Sequence, residues 1–419
     1  MAATSARPRA ARPAAAFPAT PPAPGPSSSS AFASGSRAGP GFSRPRGPAA
    51  GRRVAAAAPA AGAEYDRALK TWSDSMDEES GETLLAAVDM GTNSFHMVVV
   101  KADELGRFKI IDAMKEEVRL LQGGGKFNII SPEAEERALG ALKRLGKVAE
   151  KRGAPVRIVA TSATREASNS DAFLRNIEEQ VGIPVEVISG QEEATLTYLG
   201  IMSCLAVKEK TLVMVDIGGG STEVLVGSKG IPLLATSLRL GHLRQYEQFF
   251  DDSGTVTEEQ VSECRRYIRS VLADAGVKEE IEVLLKQGYT FDLAVGSSGT
   301  IETIGDMIAA NPEFDDPYGG GEERADGEPN GERLLPPEDG LVDFKEKVIP
   351  ADSLAVLARA VAELPREERA KLPGLTERRL NLIVSGAIIL DEIFELLKIP
   401  EMKVSCAVAA AGCVVGVGD

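Results

Sequence analysis

The feature that most constrains this chain is a motif it carries twice. Val88 to Val100 reads V-D-M-G-T-N-S-F-H-M-V-V-V, and Val215 to Val226 reads V-D-I-G-G-G-S-T-E-V-L-V. In each, an apolar run ends in Asp-x-Gly, small hydroxyl residues follow, and a second apolar run leaves. Runs of this kind around a glycine turn read as paired strands. The glycines let backbone N–H groups turn inward as an anion nest, and the Ser and Thr hydroxyls add donors. One glycine-rich hairpin is an ordinary turn. Two copies, with Asp89 and Asp216 127 positions apart, point to a duplicated scaffold that grips one anionic ligand from two sides.

The 419 residues suffice for two domains and a large core. Residues 1–63 belong to neither. They hold eight Arg, no Asp, Glu or Lys, and abundant Ala, Pro and Ser, and the first acid is Glu64. That is the composition of an organelle transit peptide, and the Ala/Pro/Ser bias favours the chloroplast stroma over the mitochondrion. A disordered tail is the plainer alternative. A secretory signal fits poorly, because Pro interrupts every apolar run.

Without those eight Arg the formal net charge moves from −15 to −23. Such a body repels nucleic acid, so no nucleic-acid partner is expected. It also repels a phosphate chain unless local cations line the site. Four scattered cysteines without C-x-x-C spacing, and only two histidines, argue against zinc and for reduced core thiols. No stretch reaches the length of a membrane span, so no membrane association is expected.

Residues 64–82 read as a polar linker. Lobe I is expected over 83–204. It comprises the first strand pair, a helix from Ser131-Pro132 to Arg152 stopped by Gly153, a strand Val156–Ala160, a helix Asp171–Val181, a strand Pro184–Ile188 and a helix Gly190–Cys204. Lobe II is expected over 205–419. It repeats the order with the second strand pair, the strand Pro232–Leu238, and helices at 240–250, 257–272 and 278–285. The strand Phe291–Val295 then meets a glycine loop that opens a helix to Ala309, and helices follow at 351–364 and 377–397. Residues 311–340, rich in Gly, Pro and acids, read as a disordered insertion, and the apolar tail from Val404 as a last core element. Strands followed by helices, twice, give two α/β lobes with a cleft between them.

Candidate residues follow from the loops. Asp89 and Asp216 can hold a cation through water, and Mg²⁺ would neutralise phosphates there. Gly91, Thr92, Asn93 and Ser94 offer donors in the first loop, and Gly218, Gly219, Gly220, Ser221 and Thr222 in the second. Glu223 either binds the metal and orients water or is a solvated strand position. Ser298, Gly299 and Thr300 sit at a strand-to-helix junction that suits an anion, although a tight turn reads the same. Arg165 either clamps a phosphate oxygen or pairs with Glu166. Arg239, His242 and Arg244 form a set of further cations. In S-G-Q-E-E-A, Glu192 and Glu193 either supply a carboxylate that activates water or merely complement the helix dipole. His96, between Phe95 and Met97, reads as structural.

At this point the chain resembles a family. D-M-G-T-N-S-F-H, A-T-S-A-T-R-E-A-S-N, I-S-G-Q-E-E-A-T-L-T-Y-L-G, V-D-I-G-G-G-S-T-E, G-S-S-G-T and E-R-R-L-N-L-I-V-S-G-A-I-I-L together look like the exopolyphosphatase and guanosine pentaphosphate phosphatase (Ppx/GppA) family, in a short, plant-organellar form. The match covers 83–405 in the family's order. The resemblance implies two ribonuclease-H-like lobes of the actin/Hsp70/sugar-kinase type, a homodimer, and Mg²⁺-dependent release of terminal phosphate from inorganic polyphosphate or pppGpp. It implies that Glu193 is the carboxylate that activates water, with Arg165 on phosphate and Asp89, Asp216 and Glu223 at acidic, metal-linked positions. It implies also that Gly218 to Thr222 and Ser298 to Thr300 are phosphate loops. The chain departs from long members in ending soon after the closing helix, in its apolar residues 406–419 and in the 311–340 insertion.

Two other functions fit the scaffold: an ATP-dependent kinase or ATPase, and a non-catalytic phosphate or nucleotide sensor. The E-E and T-S-A-T-R-E-A segments favour the hydrolase, because the scaffold at large does not require them.

Overall fold

In the computed structural model each Asp-x-Gly motif closes an antiparallel hairpin at the centre of its own sheet. Residues 82–103, 108–121, 128–205, 207, 209–251, 255–314, 347–405 and 412 are described, all within one compact unit, Val54–Asp419. The expected transit peptide, nearly all of the linker, most of the 311–340 insertion and most of the tail beyond Ser405 lie outside them.

The first sheet is built from β1 (Glu82–Met90), β2 (Ser94–Asp103), β3 (Phe108–Glu117), β4 (Val156–Ala160) and β5 (Val185–Val187), in the order β3-β2-β1-β4-β5. β1 to β3 are antiparallel, whereas β4 and β5 run parallel to β1. The second sheet contains β6 (Thr211–Ile217), β7 (Thr222–Ser228), β8 (Ile231–Leu238), β9 (Leu293–Ser297), β10 (Val348–Pro350) and β11 (Glu401–Val404), in the order β10-β11-β9-β6-β7-β8. Here β6 to β8 are antiparallel, and β9 and β11 are parallel to β6. The two sheets therefore share one strand order and one set of directions, with β10 added at the edge. The expected duplication is present in topology, as two α/β lobes.

The helices are α1 (Pro132–Arg152), α2 (Ser162–Glu166), α3 (Ser170–Val181), α4 (Gly190–Cys204), α5 (His242–Phe249), α6 (Glu258–Asp274), α7 (Val277–Lys286), α8 (Gly299–Ala310), α9 (Ala351–Glu363), α10 (Arg366–Arg369) and α11 (Leu382–Leu397). α1 starts where the sequence places it. Ser131 Oγ accepts from the Ala134 N–H at 3.2 Å, and Pro132 follows the cap. α1 and α3 bury Leu142, Leu145, Phe173 and Ile177 against β1, β2 and β4.

α11 is buried at every position from Leu382 to Phe394 and forms the spine of lobe II. Burying each such Leu or Ile contributes about 1.5–3 kcal/mol. Asn311 is buried and Phe314 packs in that core, so the ordered chain continues into the segment read as an insertion.

α4 differs from its sequence assignment to lobe I. Ala194, Tyr198, Ile201 and Met202 pack on β6, β7 and β9 of the second sheet, while Leu196 joins Leu85, Val98 and Val100 on the back of the first. A helix wedged between two sheets is apolar on more than one face, as T-L-T-Y-L-G-I-M is. Among the described residues no helix is long and apolar enough to cross a membrane.

Candidate active site

The strand order sets where the site falls. β1 and β4 are parallel neighbours, as are β6 and β9, and a ligand crevice forms beyond the carboxyl ends of such strands. Asp89 and Asp216 stand at those ends, with Asp216 in register with Ser297 of β9 and Glu223 of β7. The three glycine loops meet there and line one cleft, a cavity of about 110 Å³. From the sequence set it brings together Asp89, Gly91, Thr92, Asn93, Ser94, Glu193, Asp216, Gly218, Gly219, Gly220, Ser221, Ser298, Gly299 and Thr300.

The first two loops touch. A Cβ on Gly220 would lie 2.6 Å from Ser162 Oγ and 2.8 Å from Thr92 Oγ1, so only glycine admits both hydroxyls. Gly218 to Gly220 all lack a positive φ; their role is close approach. Ser298 does have one, φ 98°, outside the regions that side chains favour. Strain of this kind costs about 1–3 kcal/mol and collects at ligand sites.

The start of α4 divides the labour of its two acids. Ser189 Oγ accepts from the Glu192 N–H at 3.2 Å, and Glu192 Oε2 accepts from the Ser189 N–H at 2.7 Å. This reciprocal capping box uses up Glu192. Glu193, one position on, turns to the cleft with 14% of its side chain exposed. Its Oε2 lies 3.2 Å from Arg165 Nη1, and the same nitrogen donates to the Ile188 carbonyl at 2.9 Å. Arg165 thus pairs with Glu193, not Glu166, and falls outside the cleft lining. Glu166 instead spans the lobes to Arg239 and Arg244, the latter at 2.9 Å.

Besides Arg165, three residues depart from their expected places. Thr222 is fully buried, and its hydroxyl donates to the Leu240 carbonyl, so it offers nothing to a phosphate. Glu223 lies behind the loop, 2% exposed, accepting from Ser237 Oγ at 2.7 Å. Both belong to β7, which is buried on its two faces, so alternation along the strand gave no cue to which face meets the cleft. Thr300 lines the cleft, but its hydroxyl bonds to His242 Nδ1 at 2.9 Å and Arg379 Nη1 at 3.1 Å.

The cations that face the loops are Lys115 of β3 and Arg379, from a 3-10 turn before α11. Neither was singled out from sequence; Arg239 and Arg244, which were, serve Glu166. His96 also reaches the cleft, with Nε2 2.9 Å from Ser94 Oγ.

Buried carboxylates dominate the electrostatics. Burial, then the charges of Glu193 and Asp216, hold the Asp89 carboxyl well above the usual range. Burial and Glu193 push Asp216 up to about 7, against a hydrogen bond from Ser297. Glu223 is raised in the same way. Burial raises Glu193, while Arg165 and the Thr161 hydroxyl pull it back. Burial, with Lys115 and Arg379 nearby, pushes both His96 and His242 down to about 3, so both are neutral. Carboxylates that raise one another form a site short of positive charge.

A larger cavity, about 620 Å³, opens between α6 and α9, far from the glycine loops in chemistry. Two of the four arginines that line it, Arg265 and Arg269, are already paired with Asp391 and Glu392.

Comparison with known proteins agrees with this fold. The chain is 30% identical over 324 residues to a Haemophilus influenzae protein named, by assignment, an exopolyphosphatase, covering 77% of this chain and 87% of that one. A crystal structure of an exopolyphosphatase from Cytophaga hutchinsonii superposes with a TM-score of 0.64 at 23% identity, over 80% of this chain and all of that one. The Aquifex aeolicus PPX-GPPA enzyme superposes with a TM-score of 0.59 at 25% identity, over 80% and 99% of the two chains. The pattern of the Ppx/GppA phosphatase family matches residues 98–417. The chain belongs to the Ppx/GppA phosphatase family and is a hydrolase built from two α/β lobes.

Proposed function

We propose that this hydrolase is a Mg²⁺-dependent phosphoanhydride hydrolase that removes the terminal phosphate of inorganic polyphosphate or pppGpp. The observation that carries the reading is Glu193: a carboxylate released from capping by Glu192, held by Arg165 at 3.2 Å, in a cleft lined by three glycine–hydroxyl loops. Hydrolysis needs a water in line with the P–O bond to be broken. Glu193 takes a proton from that water as its oxygen attacks the terminal phosphorus. The bridging P–O bond breaks, and the shortened chain leaves with the electron pair. The loop N–H groups hold the oxygens that gather charge, and Lys115 and Arg379 bind the phosphates of the substrate chain.

Asp89 and Asp216 fit a hard cation. Asp89 Oδ1 is buried without a hydrogen-bond partner, and both carboxyls are raised, first by burial and then by neighbouring carboxylates. Among the described residues no three His, Cys, Asp or Glu side chains form a metal cage. The fit is therefore that of Mg²⁺ held by one or two carboxylates, waters and substrate oxygens. Glu223, hydrogen-bonded behind the loop, does not fit as a third ligand. Bound there, Mg²⁺ would neutralise phosphate charge. The destination expected from residues 1–63, the chloroplast stroma, goes with this reading as its site of action.

The test is phosphate release by the full chain with Mg²⁺ from polyphosphate, pppGpp, or ATP with and without sugars. Glu193→Gln is expected to lower kcat about 10²–10⁴-fold with substrate binding retained. Unimpaired turnover in that variant removes Glu193 as the base, and reaction only of ATP with a sugar makes the chain a kinase.

A further inference from the structure

His242 joins parts of the site that no single loop reaches. Its backbone N–H donates to the Gly218 carbonyl at 3.0 Å, tying α5 to the second glycine loop. Its own carbonyl accepts from Ser385 Oγ of α11 at 2.7 Å. Its ring Nδ1 lies 2.9 Å from Thr300 Oγ1, in the third loop. A Cβ on Gly386 of α11 would overlap the Thr300 methyl, so α11 makes room for this contact.

The direction of each bond follows from the donors available. A guanidinium only donates, so Thr300 Oγ1 accepts from Arg379 Nη1 at 3.1 Å. Thr300 is buried and its hydroxyl has no third partner among the described residues, so its single hydrogen is directed to His242 Nδ1, which carries a lone pair. The neutral ring then carries its proton on Nε2, which is buried without a hydrogen-bond partner. A protonated ring would set a second cation beside Arg379, with Lys115 also near, and burial pushes the ring down to about 3.

We infer that His242 is a positioning residue for the hydrolysis proposed above: by accepting the Thr300 hydroxyl hydrogen it turns that oxygen's lone pairs to Arg379 and fixes the guanidinium at the cleft. The relay rests on that functional reading only for its consequence; its bond directions stand without it.

Two measurements test it. The chain holds only His96 and His242, so histidine-labelled full-length protein gives two pairs of ring nitrogens, separable with a His96→Gln variant. His242 is expected as the Nε2–H tautomer, with Nδ1 unprotonated from pH 5 to 8, and Thr300→Val is expected to shift its Nδ1 resonance. A protonated Nδ1, or a resonance indifferent to Thr300→Val, overturns the relay.

In kinetics, His242→Phe is expected to raise KM about tenfold, with kcat changed much less. His242→Asn, which can place an acceptor near Nδ1, is expected to restore most of the loss. In an Arg379→Ala background His242→Phe is expected to add nothing. Additive losses, or an Asn variant as poor as Phe, overturn the proposal. Should His242→Phe not fold, Thr300→Val carries the same kinetic prediction from the other end of the bond. If wild-type protein hydrolyses no phosphoanhydride, the functional reading fails, and the ring-nitrogen spectra still decide the relay.

Discussion

Replacing Asp216 with Asn is expected to stabilise the metal-free protein at alkaline pH while abolishing its activity. The Asp216 carboxyl is raised to about 7, first by burial and then by Glu193. In the unfolded chain an Asp titrates near 3.9. Between those values the folded state keeps a proton that the unfolded state has lost, so the stability this group contributes falls as pH rises toward 7. The slope is about 1.4 kcal/mol per pH unit for one proton, giving about 3 kcal/mol between pH 5 and pH 8. Asp216 lines the cleft and is only partly buried, which makes that figure a ceiling. Asn carries no such slope, and it also relieves Asp89 and Glu223, both raised in part by Asp216. Urea unfolding with a chelator present, at pH 5 and pH 8, gives the comparison. The stability of Asp216→Asn relative to wild type is expected to rise by up to about 3 kcal/mol from the lower pH to the higher. At pH 8 Mg²⁺ is expected to stabilise wild type far more than the variant. A relative stability independent of pH, or lower for Asn at pH 8, refutes the electrostatic account of the cleft.

Gly241→Ala is expected to destroy the second loop, because its Cβ would overlap the Gly219 carbonyl oxygen, a backbone atom that cannot swing away. Activity should fall at least 100-fold, about 3 kcal/mol of transition-state stabilisation, in a protein whose circular dichroism stays native. Glu392→Ala removes the acid that Arg265 and Arg269 share, at 2.6 and 2.5 Å. Breaking a fully buried pair costs about 3–5 kcal/mol; here Arg269 is 65% exposed and Arg265 keeps Asp391, so urea unfolding should show about 2 kcal/mol. Raising salt should change KM more than kcat, since Lys115 and Arg379 meet the substrate's charge, and equal effects on both would argue against that role.

The parts of this structure legible in sequence are those set by local rules. The Asp-x-Gly hairpins, the Ser131-Pro132 start of α1 and the Ser189 start of α4 follow from turn and cap chemistry that a few neighbouring residues complete. What was not legible depends on which face meets what. β3, F-K-I-I-D-A-M-K-E-E, is a charged edge strand that hydrophobic alternation does not mark, and Lys115 goes unmarked with it. Arg379 read as the first turn of a helix from Glu377 to Leu397. The chain instead makes a 3-10 turn at Glu377–Arg379 and begins α11 at Leu382, and that break delivers the guanidinium to the cleft. The buried Arg369 helps hold the segment, donating to the Leu364 and Leu380 carbonyls. Between Glu192 and Glu193 no spacing argument could choose; the capping box takes Glu192 and leaves Glu193 facing the cleft.

α4 limits how this architecture can be taken apart. The matching sheets invite a view of two interchangeable modules joined by a connector. Yet the segment that would be the connector supplies apolar surface to both, and cutting beside it leaves one partner with an open face: Leu85, Val98 and Val100 on one side, Leu212, Met214 and Leu225 on the other. Neither half is therefore expected to persist as a soluble fragment. A recombinant that swaps one sheet for a relative's would have to carry a compatible Gly190–Cys204 segment, and Glu193 would travel with it.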